Sequence, residues 1–397
     1  MPPSSHCIAM VSDPLGTQAG YGGAEKLFET VWQVLSAQGL TLTAHTPLVN
    51  EAVMQDAALL KALKTGPLND FALLKRHVQF AYPLLPWLTE QQNVQHADTV
   101  LSFHHVAAKA VLPAPGARHL CYCHTPARYL YDQYWPYLQQ SDWLTRQALQ
   151  LLATPLRQWD TTTATRVDTF LANSRFTARR IERYWGRQAT VLHPPIDCQR
   201  FSFDTTDEFW LTAGRLVPYK RFDFVIDLFN RLRLPLMIIG DGPERQKLEA
   251  MAGDTITFLG HVDTTAYETF MGRCIGFVYP ALEDFGMAVA EAQASGKPVL
   301  AQNAGGSCDI VTHGSTGLLL DDMTLTAWME GVRQIERQRW DHAAIAASAQ
   351  RFDTSQFAAQ LLQHLTINRN INREMSPASH PVTPQHPSAS ILGQGVD

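Results

Sequence analysis

Two glutamates, Glu283 and Glu291, stand eight positions apart where an apolar run gives way to a helix-like segment. If that helix begins near Gly286, Glu283 projects from the loop before it and Glu291 lies more than one turn inside. Carboxylates accept hydrogen bonds from vicinal hydroxyl groups. The spacing therefore allows the two carboxylates to bind different ends of one extended ligand, such as a sugar and a ribose. The alternative is that both glutamates are solvated acids beside a helix.

The segment between the glutamates predicts an anion site. A strand ends near Tyr279, and Phe285, Gly286 and Met287 lead into the next helix. In doubly wound sheets, ligands bind at the carboxyl ends of the strands, where the free N–H groups and the positive dipole of a helix N-terminus favour anions. We expect a diphosphate to contact these three residues.

Two cations, Arg215 and Lys220, follow another predicted strand in the segment Gly214 to Lys220. Arginine can hold a phosphate through two parallel hydrogen bonds, and lysine supplies a point charge. On residue types alone, a pair of exposed surface charges is the alternative interpretation. Next to the glutamate pair, we interpret them as ligands of a diphosphate.

His124 follows an apolar strand that ends at Cys123, which places its imidazole at a strand's carboxyl end and facing a cleft. On residue type and place alone, an isolated histidine of this kind is usually structural. His104 and His105 also follow a strand, but no motif surrounds them, and we interpret both as packed or surface histidines.

Three glycine pairs stand at predicted turns. Gly22 and Gly23 precede a helix, and a backbone without side chains there can approach a phosphate or an acceptor closely. The segment starting at Gly240 and the pair Gly305 and Gly306 also lie at turns. We expect Gly240 to contact a nucleotide, while for all three turns a purely structural role remains the alternative.

Length and composition limit the classes of protein. The 397 residues suffice for two domains, and 45% apolar and 17% charged residues are typical of a globular chain. A net charge of −5 provides no general attraction to nucleic acid. The six scattered cysteines predict neither a zinc site nor a disulfide scaffold, and no run reaches the roughly 18 apolar residues that span a bilayer. A cytoplasmic protein is expected.

Two series of alternating strands and helices must position these residues. The first occupies residues 1–195, and the second begins after the Pro194-Pro195 pair, which interrupts regular structure. We predict an α/β protein with two Rossmann-like, doubly wound domains that face each other across a cleft, divided as 1–195 and 196–371. Residues 372–397 contain few large apolar side chains and are predicted to form a disordered tail.

The glutamate pair, followed by the segment Ala292 to Val299, resembles glycosyltransferase family 4, a retaining family with the two-domain GT-B fold. The resemblance implies that Glu283 contacts the donor sugar and Glu291 the nucleotide ribose. It further implies that Arg215 and Lys220 bind the diphosphate, and that His124 orients the transferred sugar. Glycine loops at Gly22 and Gly240 have counterparts in the family.

The resemblance also implies the reaction. Transfer in the family proceeds on one face of the sugar, and the leaving phosphate helps to deprotonate the acceptor hydroxyl. Our interpretation assigns no enzymic nucleophile, and His124, Arg215, Lys220 and Glu283 form the predicted catalytic set. Because no Asp-x-Asp signature stands at this site, and the two cations can neutralise the diphosphate, we predict a metal-independent reaction without a cofactor.

The segment from Cys121 to Tyr134 is similar to one in bacterial enzymes that use GDP-mannose to build surface polysaccharides on a polyprenyl diphosphate. Those enzymes usually carry methionine in place of Ala127 and tryptophan in place of Tyr131. We therefore expect GDP-mannose as the donor, with a UDP-linked sugar as the alternative. The expected acceptor is a glycan or a lipid-linked glycan.

A lipid-linked acceptor predicts contact with the inner face of the plasma membrane. Leu59 to Leu88 mixes large apolar side chains with cations, including Lys61, Lys64, Lys75, Arg76 and His77, as membrane-surface segments do. A pair of helices that covers its own core is the other interpretation.

Two other functions remain possible. A nicotinamide-dependent dehydrogenase predicts a GxGxxG turn with an acidic residue about twenty positions later, and neither half of the chain carries the full set. A non-catalytic sugar-binding protein of the same fold is the second alternative.

Overall fold

A computed structural model describes residues 6–16, 22–76, 78–204 and 207–375. The backbone divides into two compact units, Met1–Ala358 and Ala359–Asp397, and both β-sheets lie in the first. Every strand pair within the described residues is parallel.

The first sheet has seven strands in the order β3-β2-β1-β4-β5-β6-β7. Its strands are β1 (Cys7–Ser12), β2 (Thr41–Thr46), β3 (Leu63–Thr65), β4 (Thr99–His104), β5 (Arg118–Cys123), β6 (Thr169–Ala172) and β7 (Ala189–Val191). The central strands are largely buried, because helices cover both faces of a parallel sheet. All six residues of β4 are buried.

The helices of this half are α1 (Gly23–Ser36), α2 (Ala57–Ala62), α3 (Ala72–Arg76), α4 (Leu85–Glu90), α5 (Tyr134–Gln140), α6 (Trp143–Thr163) and α7 (Arg175–Trp185). Short 3-10 helices cover Glu51–Val53, Val78–Leu84, Ala108–Ala110, Arg128–Leu130 and Ala164–Arg166. Helix α7 begins where the Ser174 side chain accepts a hydrogen bond from the Thr177 N–H, and it ends at Gly186 in the left-handed conformation.

The second sheet has six strands in the order β10-β9-β8-β11-β12-β13. They are β8 (Trp210–Ala213), β9 (Leu236–Ile239), β10 (Ile256–Gly260), β11 (Phe277–Tyr279), β12 (Val299–Gln302) and β13 (Gly317–Leu320). Successive residues of a strand point to opposite faces, so Phe277 packs in the hydrophobic cluster on one face and Val278 in the cluster on the other. Full burial of such side chains stabilises the fold by roughly 1.5–3 kcal/mol each.

The helices that follow are α8 (Phe222–Leu232), α9 (Arg245–Met251), α10 (Thr264–Arg273), α11 (Met287–Ala294), α12 (Ser307–Ile310), α13 (Leu325–Arg337), α14 (His342–Ala349) and α15 (Thr354–Met375). Short 3-10 helices cover Cys198–Arg200, Pro218–Lys220 and Gln350–Phe352.

In both sheets the chain order reverses beside the first strand of the series, between β1 and β4 and between β8 and β11. Loops that leave such neighbouring strands diverge to opposite faces and open a crevice at the carboxyl ends. The loops after β8 and β11 contain Lys220 and Glu283, so the topology alone brings these two predicted residues to one edge.

The predicted fold class, two Rossmann-like parallel-sheet domains, is confirmed. The edge strands β3 and β7 are additional to the prediction, because their residues are half-buried or exposed and form no buried apolar run. The chain from Leu192 to Pro195 has no regular structure, as the paired prolines indicate. The division at residues 195 and 196 itself remains a prediction.

At the C-terminus, helix α15 continues to Met375, so residues 372–375 of the predicted tail are helical. Residues 376–397 lie outside the described part of the chain, as do 17–21 within the predicted glycine loop and His77 in the predicted membrane segment.

Candidate active site

A cleft of about 1820 Å³ lies between the carboxyl ends of the two sheets and is lined by both halves of the first unit. The predicted residues along its lining are Gly23, His124, Arg215, Lys220, Gly240, Glu283, Phe285, Gly286, Met287 and Glu291. Gly22 is adjacent to this lining. The sequence therefore identified side chains that meet in one cavity, although they come from six separate segments.

Lys220 and Glu283 form an ion pair, with 3.0 Å between Nζ and Oε1. Burial by itself would raise the pKa of Glu283. The net shift is nevertheless downward, because the carboxylate is stabilised by the charge of Lys220, by a hydrogen bond from Tyr279 and by the charge of Arg128. Burial likewise lowers the pKa of Lys220, and Glu283 raises it above its ordinary value. Both groups are therefore charged at neutral pH, and an incoming ligand meets a preformed carboxylate and ammonium.

Three glycines, Gly214, Gly240 and Gly242, allow the loop that contains Arg215 and Lys220 to pack closely against the turn that begins at Gly240. Gly240 has φ of 129°, and a Cβ on it would collide with the Gly214 carbonyl. A Cβ on Gly242 would collide with the backbone of Leu216. The Gly240 turn thus supports the loop of Arg215 through backbone contact, and it also lines the cleft.

Arg215 lies in this loop with an exposed side chain at the cleft. Lys220 is far less exposed, with 14% of its side chain accessible. The two predicted phosphate ligands therefore differ in environment: one is an exposed, adaptable guanidinium, and the other is a fixed ammonium.

Glu291 lies on α11, and its two oxygens have different partners. Tyr267 of α10 donates a 2.7 Å hydrogen bond to Oε2, and Lys26 Nζ of α1 lies 3.4 Å from Oε1. Lys26 belongs to the first-sheet half, so this ion pair crosses the cleft. Lys26 is not among the predicted site residues, although its place in the first turn of the helix that begins at Gly23 indicates a position at the same end of the sheet.

The N-termini of α1 and α11 meet at the cleft. A Cβ on Gly23 would lie 2.8 Å from the sulfur of Met287, the first residue of α11. Gly286 precedes α11 with φ of 96°, a conformation that favours glycine. Free N–H groups of both first turns and their dipoles therefore act on the same region, which suits an anion.

Gly22 has a different environment from the one predicted. Its N–H donates to Glu25 Oε2 at 3.0 Å, and the Gly16 N–H donates to Oε1 of the same carboxylate at 2.9 Å. The Glu25 carboxylate thus binds the backbone at both Gly16 and Gly22. The Gly22 N–H therefore donates to the protein itself. Contact of Gly22 with a ligand stays a prediction.

His124 follows β5, and its backbone is held on two sides. Its N–H donates to the His104 carbonyl at 2.9 Å, and Asn173 donates to its carbonyl at 2.9 Å. Burial, together with His105, lowers the pKa of His124 to about 3. A neutral imidazole therefore lines the cleft at physiological pH, able to donate or accept one hydrogen bond.

His104 and His105 have structural partners, as predicted. His104 is buried, with its ring 5.3 Å from that of Trp185. The His105 N–H donates to the buried carboxylate of Asp13, which also accepts hydrogen bonds from the next three backbone N–H groups.

A second cross-cleft contact centres on Asp284, which the sequence analysis did not single out. Arg128 donates to Asp284 Oδ2 at 2.6 Å, and Arg180 donates to Oδ1 at 2.7 Å. Arg180 also pairs with Asp132 at 2.6 Å. Asp284 directly follows Glu283, and these arginines therefore fix the loop that presents the predicted sugar ligand.

Phe285 and the Gly305-Gly306 pair hold the other side of this loop. Phe285 is buried against His193 and Phe352. The Gly306 N–H donates to the Glu283 carbonyl at 2.9 Å, and a Cβ on Gly306 would collide with the Phe285 backbone. The glycine pair thus has a packing role behind the loop.

The assembled site can perform two kinds of recognition. Lys220, Arg215 and two helix N-termini suit an anionic group, and Glu283 and Glu291 suit hydroxyl groups on either side of it. Among the residues that the structure describes, no three His, Cys, Asp or Glu side chains are grouped so as to hold a metal ion.

Two family models match the chain. One, described as Glycosyltransferase Family 4, matches residues 21–200, and the other, described as Glycosyl transferases group 1, matches residues 196–352. The Glu283 loop, Arg215 and Lys220 lie within the second match, and His124 lies within the first.

Curated relatives match parts of the chain. It is 35% identical over 157 residues to a GDP-mannose-dependent alpha-mannosyltransferase of Corynebacterium glutamicum, a match covering 38% of each chain. It is 27% identical over 226 residues to a GDP-mannose-dependent alpha-(1-6)-phosphatidylinositol monomannoside mannosyltransferase of Mycobacterium tuberculosis, covering 49% of this chain and 58% of that one. The matches span less than two thirds of either relative.

Solved structures share the fold over almost the whole chain. Sucrose-phosphate synthase from Thermosynechococcus elongatus aligns with a TM-score of 0.70 at 16% identity, covering 93% of this chain and 100% of that one. The lipopolysaccharide outer core galactosyltransferase WaaB aligns with a TM-score of 0.64 at 15% identity, covering 91% and 99%. These identities show the fold alone. The two family models, which together match residues 21–352, support a glycosyltransferase of family 4, and the solved structures show that the chain has the GT-B fold.

Proposed function

We propose that this protein is a retaining hexosyltransferase that transfers α-mannose from GDP-mannose to a glycan acceptor carried on a polyprenyl diphosphate. The observation that carries the proposal is the preformed pair of Lys220 and Glu283, 3.0 Å apart, in a cleft where two helix N-termini meet. A nucleotide sugar has hydroxyl groups on both sides of a diphosphate, and the cleft is lined by two carboxylates that suit hydroxyls and by two cations that suit a diphosphate.

In the proposed complex, Arg215, Lys220 and the N-termini of α1 and α11 bind the diphosphate. Glu283 accepts hydrogen bonds from the hexose hydroxyls, and Glu291 accepts them from the ribose. The neutral His124 contributes one hydrogen bond to the hexose and holds it in orientation.

Transfer breaks the bond between the hexose anomeric carbon and the phosphate oxygen and forms a bond to the acceptor oxygen on the same face. The acceptor proton passes to an oxygen of the leaving phosphate. Negative charge grows on the departing nucleoside diphosphate, so fixed cations lower the barrier there. Lys220 and Arg215 provide that charge, and on this basis we propose a reaction that requires no divalent metal.

The charge requirement is tested with the double variant Arg215→Ala/Lys220→Ala. Loss of both cations should lower transfer by at least about a thousandfold, because one preorganised donor contributes about 10²–10³ in rate. The matched control is Arg231→Ala/Lys247→Ala, which removes two exposed cations that pair with neighbours on their own helices. Full activity in the first double variant contradicts the proposal.

The donor is tested by thermal unfolding with GDP-mannose, UDP-glucose and UDP-N-acetylglucosamine, since a ligand that binds only the folded state raises its apparent stability. Two curated relatives named as GDP-mannose-dependent support GDP-mannose. If a UDP-sugar raises the unfolding temperature and GDP-mannose does not, the proposed donor becomes the UDP-sugar.

Membrane contact is the remaining part of the proposal. Within Leu59 to Leu88, the side chains of Phe71, Leu73 and Trp87 are 59%, 63% and 50% exposed, and Lys61 and Lys64 are also exposed. Aromatic and basic side chains together favour the surface of an anionic bilayer.

The exposed apolar surface also includes residues of α5 and α6, namely Trp135, Trp143, Leu144 and Leu151. In the described part of the chain, no helix combines the length and apolar character needed to cross a bilayer. Flotation with vesicles of phosphatidylglycerol and phosphatidylethanolamine should recover the protein, and a Trp87→Ala/Trp143→Ala variant should float less. Equal failure of both proteins to float argues against membrane contact.

A further inference from the structure

Two tyrosines from opposite halves of the fold line the cleft beside the Glu283 loop. Tyr137 lies on α5 of the first half, and Tyr219 lies between Arg215 and Lys220 of the second. Each is 47% exposed. Large aromatic side chains that stay half-exposed inside a concave site are typical of ligand contacts.

The protein holds each ring from one side. The Arg128 guanidinium lies 5.4 Å from the centre of the Tyr219 ring, and the Tyr129 ring lies 6.5 Å from that of Tyr137. Tyr129 is itself stacked on Tyr82, with 5.6 Å between the centres and 17° between the planes. Packing therefore orients both rings while part of their surface is open to the cleft.

The two phenols are close to the predicted donor sugar site. Burial raises the pKa of Tyr219, and the charge of Glu283 and the phenol of Tyr137 raise it further. Tyr219 directly precedes Lys220, whose Nζ lies 3.0 Å from Glu283 Oε1. Arg128, which lies against the Tyr219 ring, donates to Asp284 beside Glu283, and the next residue, Tyr129, contacts the Tyr137 ring. Both rings therefore lie around the loop of the carboxylate that is proposed to bind the hexose.

A pyranose presents a C–H face that packs against an aromatic ring, and hydroxyls at its rim that bond to a phenol or an amide. Tyrosine offers an apolar ring and a polar tip. Gln133 also lines the cleft one helical turn before Tyr137 and offers both a donor and an acceptor. A bare lipid phosphate could accept hydrogen bonds from the polar groups but would make no use of the ring faces.

We infer that Tyr137 and Tyr219 form the acceptor subsite, and that the acceptor group is a pyranose whose face packs on the Tyr137 ring. This inference rests on the proposed function, and it adds the class of acceptor and the residues that select it. The two rings belong to different halves, so the acceptor is bound only where both halves contribute.

The test compares Tyr137→Ala, Tyr137→Phe and the wild type, with Trp135→Ala as the matched control. Trp135 is on the same helix and 69% exposed, and it is absent from the cleft lining of the described chain. The probes are octyl glycosides of mannose, glucose, galactose and N-acetylglucosamine, and undecaprenyl phosphate is the lipid probe without a sugar. Release of GDP from GDP-mannose measures turnover.

Tyr137→Ala should raise KM for the best octyl glycoside by about tenfold, which corresponds to about 1.4 kcal/mol for the loss of the ring contact. KM for the donor should change less, and Tyr137→Phe should stay within about threefold of the wild type because it keeps the ring. Trp135→Ala should leave both KM values unchanged. A Tyr219→Leu variant should reproduce the acceptor effect.

Equal acceptor KM values in Tyr137→Ala and the wild type overturn the inference. Turnover with undecaprenyl phosphate and with none of the octyl glycosides also overturns it, while the proposed transfer activity stands. Failure of the wild type to bind or turn over any nucleotide sugar is a separate result, seen before any acceptor is added, and it removes the proposed function and the inference together.

Discussion

Lys26 Nζ lies 3.4 Å from Glu291 Oε1, and this ion pair joins the first turn of α1 to the helix that presents the proposed ribose ligand. Tyr267 holds the other oxygen of the carboxylate at 2.7 Å. The Lys26 side chain is 28% exposed and that of Glu291 is 12% exposed, so water screens the pair only in part. Lys26 therefore orients Glu291 and adds positive charge beside the proposed diphosphate site.

We predict that Lys26→Met raises KM for the nucleotide sugar by about tenfold, which corresponds to about 1.4 kcal/mol. Glu291 keeps its bond to Tyr267 but loses the cation that fixes its second oxygen, so ribose binding weakens. Steady-state kinetics with GDP-mannose measures the effect, and kcat should change by less than about threefold.

Lys26→Arg and Lys247→Met are the matched controls for this prediction. Arginine at position 26 keeps a cation near Glu291, and Lys247 is an exposed lysine on α9 that pairs with Glu244. A donor KM in Lys26→Met equal to that of Lys247→Met would show that the ion pair has no part in donor binding.

Arg180→Met should be strongly destabilising. The Arg180 side chain is 6% exposed and pairs with both Asp132 and Asp284. Its removal leaves Asp132 without its cation and Asp284 with Arg128 alone. Loss of one partner of a fully buried pair lowers the free energy of unfolding by about 3–5 kcal/mol, and because Asp132 is partly exposed we expect about 2–3 kcal/mol here. Urea unfolding measures this change.

Arg231→Met provides the comparison for Arg180, because its ion pair with Asp227 is exposed on both sides. An exposed pair contributes about 0.5 kcal/mol. Similar unfolding free energies for the two variants would contradict the role assigned to Arg180 in holding the Glu283 loop.

Gly306→Ala should impair both stability and donor binding, because the added Cβ collides with the Phe285 backbone directly behind the Glu283 loop. Backbone cannot move aside as a side-chain tip can, so the loop must shift. We expect a loss of about 2 kcal/mol in unfolding free energy and a weaker stabilising shift with GDP. Gly253→Ala is the control, since its Cβ would meet the tip of the Asn230 side chain.

Acid should destabilise the protein through buried neutral histidines of the first sheet. Burial is the largest cause that lowers the pKa of His45 and His119, each to about 4, from an ordinary value of 6.5. As pH falls below 6.5, the unfolded chain binds protons that the folded chain does not, so stability decreases between about pH 6.5 and 4.

His119 isolates one part of this effect. Its ring nitrogens lie 2.8 Å from Ser102 Oγ and 3.1 Å from the Arg166 carbonyl oxygen, a pairing that suits the neutral ring. Between pH 7 and 5 this group alone should lower the unfolding free energy by roughly 2 kcal/mol. Urea unfolding at both pH values should show a smaller difference for His119→Gln, and an identical difference would exclude His119 as a source.

Much of the fold follows from local sequence. The apolar run in Thr169–Ala172 forms a strand of a sheet that is covered on both faces, which buries side chains on both sides of the strand. Parallel strands joined by helices then bring their carboxyl ends to one edge, which is why Lys220 and Glu283 could be predicted to share a site. The edge strand Leu63–Thr65 was not predicted, since it is half-buried or exposed and forms no apolar run.

What the sequence by itself determined is which side chains reach the ends of the strands: His124, Arg215, Lys220, Glu283 and Glu291. Tertiary structure alone decided which of them face each other and what supports them. Lys26 and Glu291 are 265 positions apart, and Arg128 and Asp284 are 156 apart. A periodic pattern reports which face of an element is buried, but the partner across a cleft depends on how two independently formed sheets pack.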